Sequence, residues 1–234
     1  QPILSAYVDR TSEVWFEQEE PGVVVHFNPA TGVVKREQMR VEYSNADRSR
    51  PAFHIHEDIH GHIWVHPYGG GFSYFDRERN CLAPFYDDLG SNNWRFSNKI
   101  HAAFSDKQGN LWVGLKDGMI RLYDSNRKFM GHLTGNGTIS MTGTPMEGTA
   151  YFIMQDSKGI IWIATKGNGL VRAEQTSPTG LSYKLTRYQH DSNDMYSLSD
   201  NNVYCVYEDH HGRIWAATFA GGINYISQGE HGET

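Results

Sequence analysis

A repeat with a period of about 50 residues is the feature of this 234-residue sequence that most constrains its fold. Five segments align on a tryptophan, and successive tryptophans lie 49, 48, 50 and 53 residues apart. The four later segments share Asp-x-x-Gly-x-(Ile/Leu)-Trp, whereas the first keeps Asp9 but has Ser12 in place of the glycine. Because these tryptophans hold one place in every repeat, we expect them in the core. They are Trp15, Trp64, Trp112, Trp162 and Trp215.

Each repeat unit is predicted to be a meander of four short strands. In the last unit, NVYCVYE predicts the first strand, RIWAAT the second and INYI the third. The Asp-x-x-Gly segment between the first two suits a tight hairpin, because aspartate bonds its own following backbone and glycine adopts left-handed conformations. A run such as YKLTRYQH, in the preceding unit, predicts the fourth strand.

A single four-stranded sheet cannot bury both of its faces, whereas several sheets arranged radially can. The repeat therefore predicts an all-β fold, a β-propeller of four-stranded antiparallel blades. We place one domain over residues 1–234, with repeat units at about 3–43, 50–88, 98–134, 149–190 and 202–227. The last unit lacks its outer strand. We expect either part of a larger ring, with seven blades preferred, or a strand supplied from elsewhere.

Composition argues against some partners and leaves the compartment open. The formal net charge is -6 and no basic run stands out, so we expect no direct contact with nucleic acid. The two cysteines, Cys81 and Cys205, neither require nor exclude a disulfide. No run of 18 apolar residues occurs, so this segment is not expected to span a membrane. Because the first residue is Gln1, we expect a processed or excised piece that has lost any signal peptide.

The repeat resembles the two-component regulator propeller repeat of Bacteroides-type hybrid histidine kinases. The likeness is specific over residues 188–226, where the lead-in HDSNDMYSLSDNNV is typical of that family. It is good over 106–123 and 156–170 and weaker over 9–27, and the resemblance as a whole covers all five units. The pair His66-Pro67 and the residue Leu115 depart from the pattern. These are variations within a unit and leave the expected fold unchanged.

The resemblance implies an extracytoplasmic, ligand-sensing propeller of a hybrid two-component sensor histidine kinase. In that family, such propellers precede a β-sandwich, one transmembrane helix, a kinase core, a receiver and a DNA-binding domain. The implied ligand is a glycan-derived oligosaccharide, and the implied output is transcription regulation of polysaccharide-utilisation genes through a phosphorelay. The implied location is periplasmic, as the sensor part of an inner-membrane protein. The full-length receptor would be a homodimer, reaching the membrane only through a downstream helix that is not in this segment.

Two other functions stay open, a propeller hydrolase or lyase acting on glycans and a protein-interaction scaffold without a small ligand. We expect no catalytic residues and no cofactor in this segment, so any kinase activity would belong to the full-length protein. No Gly-x-Ser-x-Gly or Cys-x-x-Cys motif occurs. The adjacent carboxylates Asp87-Asp88 and Glu19-Glu20 are interpreted as solvated loop residues. The aspartates that recur in every unit are interpreted as turn formers: Asp9, Asp58, Asp106, Asp156 and Asp209.

Ligand contacts are predicted on the longer, more varied loops at one end of the blades, because binding residues concentrate on loops held by a rigid scaffold. These loops are residues 43–51, 87–98, 134–149 and 190–201. Trp94 lies outside the repeated tryptophan positions and has polar neighbours, the combination that binds a sugar ring and its hydroxyls. The alternative is an aromatic plug between two blades. The predicted ligand-binding residues are Trp94, Arg95, Asn92, Asn93, Tyr68, Phe219 and Lys116.

Five histidines lie within the thirteen residues 54–66, which raises the possibility of a metal site. The repeat alignment explains four of them by position, with His56 in a mostly apolar column and His60 in the solvated turn. His54 and His66 would be cross-strand neighbours on one face of a hairpin. Two histidines need a third ligand to hold a metal, and the sequence assigns none. We therefore expect no metal.

Overall fold

Strand is the only regular structure within the residues that the computed structural model describes, which are 3–18, 22–38, 55–66, 72–85 and 100–227. In this part of the chain twenty strands form five sheets, and strands that follow each other in sequence lie side by side in each sheet. The pairings are antiparallel, as short connections between neighbouring strands require. The predicted all-β meanders are thereby confirmed.

The first two sheets each contain four strands in sequence order. The first consists of β1 (Ile3–Val8), β2 (Val14–Gln18), β3 (Val23–Asn28) and β4 (Val33–Gln38). The second consists of β5 (His56–Glu57), β6 (Ile63–Val65), β7 (Ser73–Asp76) and β8 (Cys81–Pro84).

The other three sheets contain five, four and three strands within the described residues. The third consists of β9 (Ile100–Ser105), β10 (Leu111–Leu115), β11 (Ile120–Tyr123), β12 (Phe129–Leu133) and β13 (Ile139–Ser140). The short β13 was not predicted, and it pairs with β12 through Leu133 and Ile139. The fourth consists of β14 (Thr149–Gln155), β15 (Ile161–Lys166), β16 (Leu170–Gln175) and β17 (Tyr183–Tyr188). The fifth consists of β18 (Val203–Glu208), β19 (Ile214–Thr218) and β20 (Gly222–Ile226).

The chain divides into two compact units. One comprises the described part of residues 1–111 together with 123–129, and the other comprises 112–122 together with the described part of 130–234. In the first unit, a core cluster joins the first two sheets through Trp15, Val24, Ile63 and Phe75. In the second unit, a larger cluster joins the fourth and fifth sheets through residues that include Trp162, Leu170, Val206 and Ile214.

Each repeated hairpin is closed by its aspartate, as the second sheet shows. The Asp58 Oδ1 atom accepts hydrogen bonds from the backbone amides of His60 and His62, both at 2.9 Å. The Oδ2 atom accepts the indole N–H of Trp64 at 2.9 Å. Gly61 donates its amide to the Asp58 carbonyl with φ +85°, a left-handed conformation that favours glycine. One aspartate therefore fixes both the turn and the core tryptophan.

The same aspartate–tryptophan hydrogen bond occurs in three further repeats, at 2.6 Å from Trp15 to Asp9 and at 2.9 Å from both Trp162 to Asp156 and Trp215 to Asp209. The first repeat keeps its turn without glycine, because Ser12 adopts φ 66° and donates its amide to the Asp9 carbonyl. The interpretation of the aspartates as turn formers agrees with this geometry.

Four of the five aligned tryptophans are buried as predicted: Trp15, Trp112 and Trp162 are 0% exposed and Trp64 is 2% exposed. Trp215 is only half-buried, which differs from the expectation. Three of its neighbours on the fifth sheet are exposed, with Tyr207 at 62%, Ile223 at 74% and Tyr225 at 52%. The equivalent of Ile223 in the fourth sheet is Leu170, which is 0% exposed because it packs in the cluster with the fifth sheet.

Candidate functional site

The second unit places two of the predicted ligand-binding residues in turns between the second and third strands of their sheets. Lys116 lies in the turn between β10 and β11, where its carbonyl accepts a hydrogen bond from the Thr149 hydroxyl at 3.2 Å. Thr149 begins β14, so this turn lies at the start of the first strand of the fourth sheet. Phe219 lies in the turn between β19 and β20 and donates its amide to the Asn202 carbonyl at 2.9 Å.

A run of three aromatic rings, two exposed and one partly buried, lies at this end of the fourth and fifth sheets. Tyr151 of β14 stacks on Tyr204 of β18, with ring centroids 5.2 Å apart and planes 12° apart. Phe219 continues the run, with its ring centroid 5.6 Å from that of Tyr204. Phe219 is 69% exposed and Tyr204 is 41% exposed, so both rings are accessible to a ligand. We call these three residues the aromatic run.

Sequence reasoning identified Phe219 but missed its two tyrosine partners. Both tyrosines lie eleven residues before the aligned tryptophan of their own repeat, Tyr151 before Trp162 and Tyr204 before Trp215. An aromatic residue at one repeat position in two successive units was therefore the available signal. The stack itself depends on how two neighbouring sheets pack, which the sequence alone does not give.

Five predicted site residues lie outside the described residues: Tyr68, Asn92, Asn93, Trp94 and Arg95. Their role as ligand contacts therefore stays a prediction. The predicted loop at 190–201 is described, and its backbone is held by internal hydrogen bonds. The His190 amide donates to Asn201 Oδ1 at 2.8 Å, and the Asp191 amide donates to Ser197 Oγ at 2.9 Å.

A cavity of about 400 Å³ is lined in part by this loop. It is lined by the end of β17 with Gln189, by residues 194–198 of the loop, and by Asn224–Ile226 of β20. Met195 and Tyr196 stand at its rim and are 87% and 78% exposed. The cavity and the aromatic run are thus two separate features of the second unit, lined by different residues.

The histidine-rich hairpin is structural where it is described. His60 is exposed, as expected, while His62 Nδ1 lies 3.1 Å from Asp58 Oδ2. His56 is buried beside Trp64 and its Nε2 atom lies 3.1 Å from Ser105 Oγ. The predicted pairing of His54 with His66 stays a prediction, because His54 lies outside the described residues. In other sheets the equivalent positions do pair across the hairpin: Ser5 with Glu17, Phe152 with Ala164, and Cys205 with Ala217.

Within the described ranges, no three side chains of histidine, cysteine, aspartate or glutamate come together as a metal site would need. Cys81 and Cys205 are both free thiols. Burial raises the pKa of the Cys205 thiol, which disfavours its reactive thiolate form.

Two of the repeat aspartates, Asp9 and Asp58, have a lowered pKa, which suits a turn and not a general acid. Burial acts to raise the pKa of Asp9, but hydrogen bonds from Trp15, Thr11 and Arg77 outweigh it and lower that pKa to about 2. At Asp58, burial is likewise outweighed by bonds from Trp64 and His62, and the pKa is lowered. A general acid at neutral pH needs a raised pKa instead.

No helix long and apolar enough to cross a bilayer is found in the described part of the chain.

The chain is similar to parts of bacterial two-component proteins. The chain is 31% identical over 111 residues to histidine kinase P4 of Formosa agariphila, a match that covers 47% of the chain and 8% of that protein. It superimposes on the extracellular domain of a putative hybrid two-component system from B. thetaiotaomicron with a TM-score of 0.62 and 21% identity, over 97% of the chain and 27% of that structure. The chain thus spans only a small part of either relative.

The same fold also occurs in an enzyme. A catalytically inactive virginiamycin B lyase from Staphylococcus aureus, solved with quinupristin, superimposes with a TM-score of 0.64 and 14% identity, over 99% of the chain and 69% of that structure. At such identities, the structural matches establish the fold alone.

The family model for the two-component regulator propeller matches residues 95–117 and 197–220. These segments contain the aligned tryptophans of the third and fifth repeats, Trp112 and Trp215. The predicted resemblance to this repeat family is therefore confirmed by the match at these two repeats, and the predicted propeller-type fold is confirmed by the five sheets and the similar structures.

Proposed function

We propose that this chain is the extracytoplasmic, ligand-sensing segment of a two-component signalling protein, and that it binds a glycan-derived oligosaccharide. The observation that carries the proposal is the aromatic run, in which the exposed rings of Tyr204 and Phe219 adjoin the partly buried ring of Tyr151. Exposed adjoining aromatic rings are uncommon without a partner, because burying them is favourable.

The chemistry of the aromatic run suits a sugar. Sugar rings have apolar faces that pack on aromatic rings, and their hydroxyls need hydrogen-bond partners at the edges. Tyr151 and Tyr204 each supply a phenolic hydroxyl beside their ring faces. Lys116 is on the turn that contacts Thr149, two residues before Tyr151, and supplies a cation in the same region. An acidic or hydroxyl-rich saccharide would match this combination.

The signalling role is supported by the repeat family and by the sequence similarity to a histidine kinase. We propose a periplasmic location, because the similar part of a hybrid two-component system is an extracellular domain. Kinase output, a receptor homodimer and control of polysaccharide-utilisation genes are proposed for the whole protein. This segment supplies recognition in that proposal and performs no chemistry.

Isothermal titration calorimetry with a panel of glycan oligosaccharides tests the proposal. We expect one class of oligosaccharide to bind, with affinity lowered about 10-fold or more in Tyr204→Ala and Phe219→Ala, because each loses a stacking surface of roughly 1–2 kcal/mol. Tyr207→Ala is the matched control, since Tyr207 lies on the same strand and is 62% exposed but is not in the aromatic run.

Product analysis on the same samples separates the alternatives. Cleavage of an oligosaccharide would support the hydrolase or lyase reading and would contradict a purely sensing segment. No binding across a broad panel would favour a protein-interaction scaffold.

A further inference from the structure

Lys166 and Phe219 hold the same position in successive repeats, each four residues after the aligned tryptophan of its own repeat. In the fourth sheet, Lys166 lies opposite Thr149 in the pairing of β14 with β15. In the fifth sheet, Phe219 donates its amide to the carbonyl of Asn202, the residue equivalent to Thr149, at 2.9 Å. The two turns are therefore anchored in the same way, and the two side chains start from equivalent places on their sheets.

The two tyrosines of the aromatic run share a backbone feature, a shift in strand register. It occurs at Tyr151 in the fourth sheet and at Tyr204 in the fifth. Such an irregularity turns a side chain away from its place in the regular pleat. In the fifth repeat the Tyr204 ring lies 5.6 Å from that of Phe219. The equivalent neighbour of Tyr151 in the fourth repeat is Lys166.

A second lysine lies at the same place and comes from the preceding repeat. Lys116 follows its aligned tryptophan by four residues, and its carbonyl accepts the Thr149 hydroxyl at 3.2 Å. Thr149 thus contacts the backbone of one lysine through its hydroxyl and faces the other lysine across the strand pairing. Two cationic residues therefore adjoin Thr149, two residues before Tyr151, at one end of the aromatic run.

The charges around the two lysines favour an anion at this place. Lys166 is exposed, and its ammonium forms no ion pair with the residues that the structure describes. The carboxylate of Asp117 accepts the Met119 amide at 3.0 Å and is thereby held within its own turn. Glu147, two residues before Thr149, is exposed. Because the chain has a formal net charge of -6, an anion would be attracted here by local contacts and not by the overall charge.

We propose that Lys116 and Lys166 form a subsite for an anionic group of the ligand, the carboxylate of a uronic acid or a sulfate ester, beside the sugar rings that pack on Tyr204 and Phe219. This inference rests on the proposed function and narrows its ligand to an anionic oligosaccharide. Lysine supplies a compact charge with three hydrogen-bond donors, which suits an oxyanion of either kind. The aromatic rings supply affinity through the apolar faces of the sugars, and the lysines supply selectivity through charge.

Calorimetric titration of the chain with charged probes and their neutral forms tests the subsite. The probes are oligogalacturonate with its methyl ester, and a sulfated galactan oligosaccharide with its desulfated form. We expect one charged probe to bind about 10-fold or more tightly than its neutral form, because hydrogen bonds between charged groups are the stronger ones. Which charged probe binds identifies the anionic group. Its affinity should fall as salt rises from about 0.05 to 0.3 M, since salt screens exposed charges.

Substitutions at single charges test which residues bind the anion. Lys166→Gln and Lys116→Gln should each lower the ratio of charged to neutral affinity about 5-fold or more. Glu147→Gln should raise that ratio about 2-fold, because it removes a nearby negative charge. Lys184→Gln is the matched control and should not change the ratio. Lys184 is also an exposed lysine of the fourth sheet, but it lies on β17 opposite Glu174.

The possible outcomes separate this inference from the proposed function. The subsite would be overturned, with saccharide binding intact, by binding restricted to neutral saccharides, by equal affinity for a charged probe and its neutral form, or by an unchanged preference in both lysine variants. A charged probe that binds Tyr204→Ala and Phe219→Ala as tightly as the native chain would also overturn it, because the charge contact would then lie apart from the aromatic run. Silence of every saccharide, charged or neutral, would overturn both proposals.

Discussion

The Glu208 carboxylate accepts two hydrogen bonds from Ser157, one from the backbone amide at 2.7 Å and one from the hydroxyl at 2.5 Å. This contact joins the end of the first strand in the fifth sheet to the hairpin turn of the fourth. The first unit repeats it, because Glu57 accepts the Arg10 amide at 2.8 Å and pairs with the Arg10 guanidinium. Glu57 and Glu208 each lie seven residues before the aligned tryptophan of their repeat, so one repeat position serves as a clasp between neighbouring sheets.

Removing this clasp should loosen the contact between the fourth and fifth sheets. We expect Glu208→Ala to lower the free energy of unfolding by about 1–2 kcal/mol, since two hydrogen bonds to a charged acceptor are lost. Urea unfolding followed by tryptophan fluorescence measures the change. Glu174→Ala is the control, because that carboxylate is 48% exposed and pairs with Arg172, so its loss should stay within about 0.5 kcal/mol. Equal effects in the two variants would show that the clasp is an ordinary surface contact.

The aspartate–tryptophan hydrogen bond should contribute more to the free energy of unfolding where it is buried. Trp162→Phe keeps an aromatic ring but removes the N–H donor to Asp156, which is 1% exposed. We expect a loss of about 2–3 kcal/mol, because a buried carboxylate loses a partner that water does not replace. Trp215→Phe removes the same 2.9 Å bond at a half-buried site, and about 1 kcal/mol is expected. A larger loss at Trp215 in urea unfolding would contradict this dependence on burial.

The sheets were predictable from sequence because they depend on local features that recur in every repeat. Asp58 and Gly61, for example, fix a hairpin whatever lies around it. The stack of Tyr151 on Tyr204 was not predictable, because it depends on how closely two first strands approach each other. The half-buried state of Trp215 was missed for a related reason. A tryptophan at this repeat position is buried only when a neighbouring sheet packs against the same face of its own sheet. Its burial therefore depends on that neighbouring sheet as well as on the tryptophan itself.

A buried histidine should make the first sheet sensitive to mild acid. His26 is 4% exposed and stacks on Trp15, with ring centroids 4.3 Å apart. Burial lowers its pKa below the ordinary value, although the nearby carboxylates of Glu13 and Glu37 oppose the shift and Lys35 adds to it. The unfolded chain therefore binds the proton more tightly than the folded chain.

The sign of the effect follows from that difference. Stability contributed by neutral His26 is present above the unfolded pKa of about 6.5, and it is lost as the pH falls from there towards the lower folded pKa. Urea midpoints measured between pH 7.5 and 5 should fall more steeply in the native chain than in His26→Phe, which cannot be protonated. Parallel pH profiles would rule out His26 as the source of the slope.

Alanine substitutions at Gly167 and Gly169 should distinguish the cost of backbone strain from the cost of a steric clash. Gly167 has φ +82° and a Cβ atom there would meet nothing within 4 Å, whereas Gly169 has φ +73° and a Cβ atom would lie 2.0 Å from the Tyr188 carbonyl oxygen. Gly167→Ala should therefore cost only the left-handed strain, about 1 kcal/mol. Gly169→Ala adds a clash between the new Cβ atom and the Tyr188 carbonyl oxygen, a backbone atom that cannot rotate away, and about 3 kcal/mol or more is expected. Differential scanning calorimetry measures the thermal midpoint of both variants, and Gly169→Ala should have the lower one. An equal fall in the two midpoints would show that β16 and β17 can move apart to accommodate the Cβ atom.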